Sequence, residues 1–224
     1  MRVIGFSGKM GSGKDYTANE IKNLLLEQDS SLKLASLTFA SALRDDANEI
    51  VADYKFGNET SSTLALAYDV TEAEMKKLIS LLIKDDDFSS EGYSLYNRTA
   101  FSREILQYWG TDVRRNQSSE YWIDKTNEKI RNLNSDYVFI TDVRFPNEYE
   151  LIKKWSGRVV RCEVPITIQR ERLKLRDGIS NQKNENFSHS SESSLDYHIF
   201  DLTIDTSKPD SVLKAYNAIA IKRT

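Results

Sequence analysis

Residues 8–17 read GKMGSGKDYT. Gly8, Gly13 and Lys14 meet the phosphate-loop pattern G-x-x-x-x-G-K-[ST] at every place but the last, where Asp15 replaces the hydroxyl. Before the loop, RVIGFS (residues 2–7) has the composition of a buried strand. After it, Ile21, Leu24 and Leu25 share one face of a helix expected over residues 17–26. A glycine turn between strand and helix points successive backbone N–H groups at one spot, where the helix end adds about half a positive charge. Lys14 would then reach the β- and γ-phosphates of a nucleoside triphosphate. Gly8, Gly11, Ser12, Gly13, Lys14, Asp15 and Tyr16 are the expected residues of that nucleotide site. Asp15 has two readings. A carboxylate can hold Mg²⁺ directly or through water, and it can equally cap the helix or favour its dipole.

Outward from the loop, short apolar strands alternate with helical patterns. Strands are expected at residues 33–39, 136–141 (DYVFIT), 157–164 (GRVVRCEV) and 202–204. Helices are expected around residues 41–53, 101–109, 121–133, 146–155, 167–176 and 210–221. Strands separated by helices imply crossover units, hence an α/β fold with a mainly parallel sheet covered by helices on both faces. At 224 residues the chain is expected to be a single domain, residues 1–224. Residues 55–97, with the helix-like TEAEMKKLISLLIK, break the rhythm as an insertion. The polar run 178–194 reads as a mobile part of a lid over 165–194.

Composition excludes several classes. A net charge of −3 argues against a general nucleic-acid binder, which should be basic. No apolar run is long enough for a membrane span, and the start lacks the apolar core of a secretory signal. One cysteine, Cys162, excludes an internal disulfide and suits a reducing cytoplasm, the expected location. It reads as a small core residue.

The run SREILQYWGTDVRRNQSSEYW (residues 102–122), ITDVRFPNEYE (140–150), SGKDYT and the HSSE run at His189 together resemble the phage-type deoxynucleoside monophosphate kinases, of the P-loop nucleotide kinase family. The resemblance implies a P-loop kinase fold and transfer of the γ-phosphoryl of ATP, with Mg²⁺, to a deoxynucleoside 5′-monophosphate. Members generally carry Asp after the loop lysine, as here, whereas Tyr16 stands where threonine is expected. An ionised monophosphate acceptor needs no general base, so positioning and charge cancellation dominate. By family position, Arg103 and Arg144 are expected acceptor contacts, with Arg115 a weaker choice. Gly110 and Thr111 would let backbone and hydroxyl approach the acceptor, and Trp122 would stack on its base. Asp142, at the end of a strand, could order Mg²⁺ through water, fix the acceptor or cap a turn. Glu148 could orient Arg144 or reach the acceptor.

In QRERLKLRDG (residues 169–178), Arg172 and Arg176 share one helical stripe, and Arg170 and Lys174 another. The run R-L-x-x-R-D-G resembles the lid of P-loop small-molecule kinases, including dephospho-coenzyme A kinases. Arg172 and Arg176 are therefore the expected lid arginines, stabilising charge on the transferring phosphoryl. Two further readings stay open: another P-loop kinase of a small metabolite, and a regulatory module that senses ATP without turnover. A homodimer is compatible with the sequence.

Overall fold

The structure is a computed structural model that describes residues 1–57, 59–97, 99, 101–177 and 193–220, with the side chains of Arg103, Arg176 and Asp177 outside the description. Five strands form one wholly parallel sheet: β1 (Arg2–Ser7), β2 (Leu34–Leu37), β3 (Tyr137–Val143), β4 (Arg158–Glu163) and β5 (Leu202–Asp205). Their order is β2-β3-β1-β4-β5. The central place of β1 follows from its burial, since every residue after Arg2 is shielded. Alternate residues of a strand face opposite ways. Ile4 and Phe6 therefore pack with Phe139 and Cys162 against Ala18, Ile21 and Leu25 of α1 (Lys14–Gln28) and Ala215 and Ile219 of α9 (Ser211–Ala220). The other face is covered by α7 (Pro146–Lys154), whose Ile152 is fully buried against Gly5 and Gly157.

The chain divides into two compact units, Met1–Phe39 with Asn127–Thr224, and Ala40–Thr126. The first carries the sheet. The second takes in more than the expected insertion of residues 55–97. It is helical, with its own core of Ile50, Leu64, Met75, Leu78, Leu82, Ile105, Trp109 and Trp122. Its helices are most of α2 (Phe39–Phe56), α3 (Ser61–Ala67), α4 (Glu72–Ile83), α5 (Ser102–Gln107) and the first turns of α6 (Tyr121–Asn132). α4 is the expected helix of the insertion, opened by a reciprocal cap between Thr71 and Glu74. α3 had no apolar period strong enough to announce it. Its start is a Thr60–Thr63 cap of the same kind.

Residues 108–115 differ from expectation. The helix expected around residues 101–109 stops short of Gly110, yet the chain continues as a wide π-helix through Tyr108–Arg115. The Gly110 carbonyl accepts from the Trp122 indole N–H at 2.9 Å, a bond outside the helix ladder. A Cβ at Gly110 would lie 2.7 Å from a terminal methyl of Leu43, so any larger residue there would require the Leu43 side chain to shift. The last described helix, α8 (Ile166–Asp177), follows β4.

Candidate active site

The loop between β1 and α1 has Gly8, Gly11 and Gly13 at φ of 154°, 77° and 84°. Gly13 hands over directly to α1, so the helix begins at Lys14, a turn earlier than its apolar pattern announces. No side chain caps this end, which leaves the first backbone N–H groups pointing out of the helix. Asp15 therefore makes no cap bond here. It lies 3.6 Å from the Lys14 ammonium, with its own side chain 70% exposed. Lys14 itself is buried. Tyr16 faces solvent at 65% exposure.

Helix α8 presses on the loop through one face. Gln169 Nε2 donates to the Met10 carbonyl, and Cβ atoms at Gly11 or Gly13 would crowd Leu173 and Arg172. Arg172 donates to both the hydroxyl and the carbonyl of Thr206, each at 3.0 Å. The Thr206 hydroxyl donates in turn to the Ser12 carbonyl at 2.7 Å. Thus the residue just past β5 ties α8 to the phosphate loop. Arg170 and Lys174, on the other stripe, are exposed. Arg176's side chain, His189 and residues 178–192 of the expected mobile run lie outside the described residues.

At the end of β3, Asp142 accepts from the backbone N–H of Phe39 at 2.8 Å, which satisfies a donor in the first turn of α2. The buried Glu148 accepts from the backbone N–H groups of Arg144 at 2.7 Å and Phe145 at 3.1 Å. It fixes the Arg144 turn through the main chain while closing the N-terminus of α7. The side chain of Arg144 is partly exposed.

In the second unit Trp122 is only 2% exposed, so its ring has no face to offer a base. The expected stacking gives way to a packing role in which Trp122 holds Gly110. Thr111 is exposed in the π-helix. Arg114, beside the matched motif, is buried at 3% exposure between the rings of Trp109 and Tyr121, 4.4 and 4.5 Å from their centroids. Its counter-ion is the buried Asp46, 3.8 Å away, which also accepts from Trp109 at 2.8 Å and Tyr121 at 3.0 Å. Burial, with the Asp46 charge, pushes the Tyr121 hydroxyl well above its ordinary value. Arg103's side chain lies outside the described residues.

Among the described residues no three His, Cys, Asp or Glu side chains cluster as a cage for a metal. Mg²⁺ does not require one, since it is usually held by one or two carboxylates with substrate phosphates and waters. The exposed Asp15 carboxylate beside Lys14 fits that mode. Thr17, the nearest hydroxyl in α1, does not, because it is 1% exposed on the core side of the helix beside Cys162. Burial pushes the Cys162 thiol up to about 12, with the Thr17 hydroxyl and the Lys14 charge acting the other way.

Three contributors escape a reading by motif: Thr206, Gln169 and Arg161. Thr206 could have been found from its place at the carboxyl end of a parallel strand, where ligand crevices form. Arg161 announces itself as a charge inside the otherwise apolar VVRCEV.

No family model matches the chain. The deoxynucleoside-5′-monophosphate kinase of Escherichia phage T5 is 26% identical over 179 residues, which cover 68% of this chain and 72% of that protein. Among solved structures, TT1252 from Thermus thermophilus superposes at a TM-score of 0.46 with 16% identity, over 99% of this chain and 98% of that one. Shikimate kinase from Aquifex aeolicus gives 0.40 with 12% identity, over 96% and 94%. The chain is thus similar in sequence to a phage deoxynucleoside monophosphate kinase, and its α/β fold carries a glycine loop between the central strand and the first helix.

Proposed function

We propose that the protein transfers the γ-phosphoryl of ATP to a deoxynucleoside 5′-monophosphate, giving the diphosphate. The observation that carries this reading is the loop itself: three glycines at positive φ, an uncapped helix start and a buried Lys14. That combination presents N–H dipoles and one cation to a polyphosphate. It has no use in an apolar core, where the same groups would be left unpaired. The sequence similarity to a deoxynucleoside monophosphate kinase supports the choice of acceptor.

In this mechanism Lys14 spans the β- and γ-phosphates and follows the charge as it moves. Asp15, with Asp142 as a further candidate, would hold Mg²⁺, which supplies charge neutralisation on the phosphates when bound. Arg172, fixed by Thr206 against the loop, adds cationic charge on the donor side, and Arg176 is assigned the same task. Arg103 and Arg144 are assigned to the acceptor phosphate, with Glu148 holding the Arg144 turn in place. Gly110 and Thr111 are assigned to the acceptor as well, and Trp122 acts through Gly110.

The test is a coupled assay of ADP release with ATP and Mg²⁺ against a panel of deoxynucleoside and nucleoside monophosphates and dephospho-coenzyme A. Turnover with at least one deoxynucleoside monophosphate is expected. Turnover confined to dephospho-coenzyme A would assign the chain to a small-metabolite kinase instead. ATP binding without turnover on any acceptor would make it a sensor.

A further inference from the structure

Beside the phosphate loop lies a cavity of about 440 Å³, lined by Lys9, Ser12, Arg161, Cys162, Gln169 and Asp196 among others. None of the roles assigned so far uses its charges. Arg161 stands on β4 in register with Ser7, the last residue of β1 before the loop. It is buried at 7% exposure, and it donates to the Ser7 hydroxyl at 3.1 Å and to Asp196 Oδ1 at 2.8 Å. The other oxygen of Asp196 pairs with the Lys9 ammonium at 2.9 Å. One carboxylate therefore cross-links two cations, one from the loop and one from the sheet. The remaining acidic neighbour, Glu163, lies 3.7 Å from Arg161 Nε and is 61% exposed, so water screens it.

Two features separate this group from a plain structural ion pair. A guanidinium has five N–H donors, and among the described residues two hydrogen bonds use them here. Ser12 lines the same cavity, is 2% exposed, and its buried hydroxyl has no hydrogen-bond partner among the described residues. A buried hydroxyl without a partner is costly and calls for one. A lysine ammonium, a guanidinium and a hydroxyl that converge on one cavity next to a phosphate loop are donors in want of an oxyanion.

We infer that Lys9, Arg161 and the Ser12 hydroxyl form a second phosphate-binding wall, on the β4 side of the loop, and that Asp196 is the positioning residue that aims both cations into it. The ligand is a phosphate group of a bound nucleotide, from either the donor triphosphate or the acceptor monophosphate. The inference rests on the nucleotide reading above and adds a site to it.

Equilibrium binding tests it without requiring transfer. Mg·ATP and the four common deoxynucleoside monophosphates are titrated separately into folded wild type, Lys9→Gln, Arg161→Gln and Asp196→Asn. Lys214→Gln, which removes an exposed cation of α9 paired with Asp210, is the control for charge loss. Lys9→Gln and Arg161→Gln should each weaken one class of nucleotide roughly tenfold or more, the size expected for a lost hydrogen bond to a charged group. The other class and the control should change less than about twofold on the same scale. Weakening confined to ATP assigns the wall to the donor, and weakening confined to the monophosphates assigns it to the acceptor. Asp196→Asn should weaken the same class, and Asp196→Glu should restore part of the loss. Unchanged affinity for both classes in Lys9→Gln overturns the site, even if Arg161→Gln fails to fold. Tighter binding in Asp196→Asn overturns the positioning role, because it would show Asp196 competing with the phosphate. A wild type that binds both nucleotides but transfers nothing would sink the kinase reading and leave this one standing.

Discussion

At the scale of single residues, Asp15 carries a charge where a hydroxyl is usual, and its surroundings give that charge work to do. Its carboxylate makes no cap bond and lies beside Lys14. Asp15→Asn keeps the size and removes the charge. If the carboxylate helps to hold Mg²⁺, activity should fall and recover only at higher magnesium. ATP binding without metal should be unchanged or slightly tighter, since a negative group beside the phosphates repels them when no cation intervenes. Superimposable magnesium titrations of wild type and variant would refute the metal role. Residue identities were legible where a motif fixed them, as at Gly13 and Lys14. They were not legible where burial decided the role. Trp122 reads as a stacking partner for a base, whereas its indole is buried and donates to the Gly110 carbonyl; of the two readings of Glu148, the contact at hand is the one to the Arg144 turn. Nothing in linear spacing tells a core indole from an exposed one.

At the scale of elements, the π-helix and its neighbours depend on one buried carboxylate. Asp46 faces Arg114, Trp109, Tyr121 and Lys125, the last at 3.5 Å. Asp46→Ala leaves a buried guanidinium without a counter-ion and two ring donors without an acceptor. The loss should be about 3–5 kcal/mol, read as a lower denaturant midpoint for the helical unit. A midpoint equal to wild type would contradict this account of the cluster. A milder case anchors the start of β4, where Asp201 accepts from Lys153 at 2.7 Å and from the Val159 N–H at 2.8 Å. Burial alone would raise its pKa, but these contacts outweigh burial and leave it below its ordinary value. A carboxyl depressed in the folded state stabilises above its unfolded pKa of about 4 and loses that contribution as pH falls through the lower folded value. Asp201→Asn should therefore cost on the order of 1 kcal/mol at neutral pH, discounted for a partly exposed pair, and progressively less in acid. A pH-independent difference in stability would contradict the assignment.

The strands and most helices were legible because their burial leaves a period in the sequence. α3, with small residues and only Leu64 and Ala65 buried, leaves almost none. The π-helix was hidden by its glycine, which marks a close approach to Leu43 where a helix end was expected.

At the scale of the whole molecule, alternating strands and helices implied a parallel sheet, but not the order β2-β3-β1-β4-β5. That order places the carboxyl ends of β1, β3 and β4 side by side. Three sequence-distant groups, the glycine loop, Asp142 and Arg161, thereby come to the same edge of the sheet. No described helix is long and apolar enough to cross a membrane. With a net charge of −3 the chain offers no basic surface, so the proposed phosphate sites would depend on the local arrangement of charge at that edge.

The most direct measurement follows the phosphorus. Wild type and Lys14→Ala are each given ATP labelled at the γ-phosphorus, Mg²⁺ and the four common deoxynucleoside monophosphates, and the products are separated. Wild type should move the label into a deoxynucleoside diphosphate, while folded Lys14→Ala should do so slower by orders of magnitude. Label found only in ATP or inorganic phosphate with wild type, or equal transfer by Lys14→Ala, would contradict the kinase mechanism.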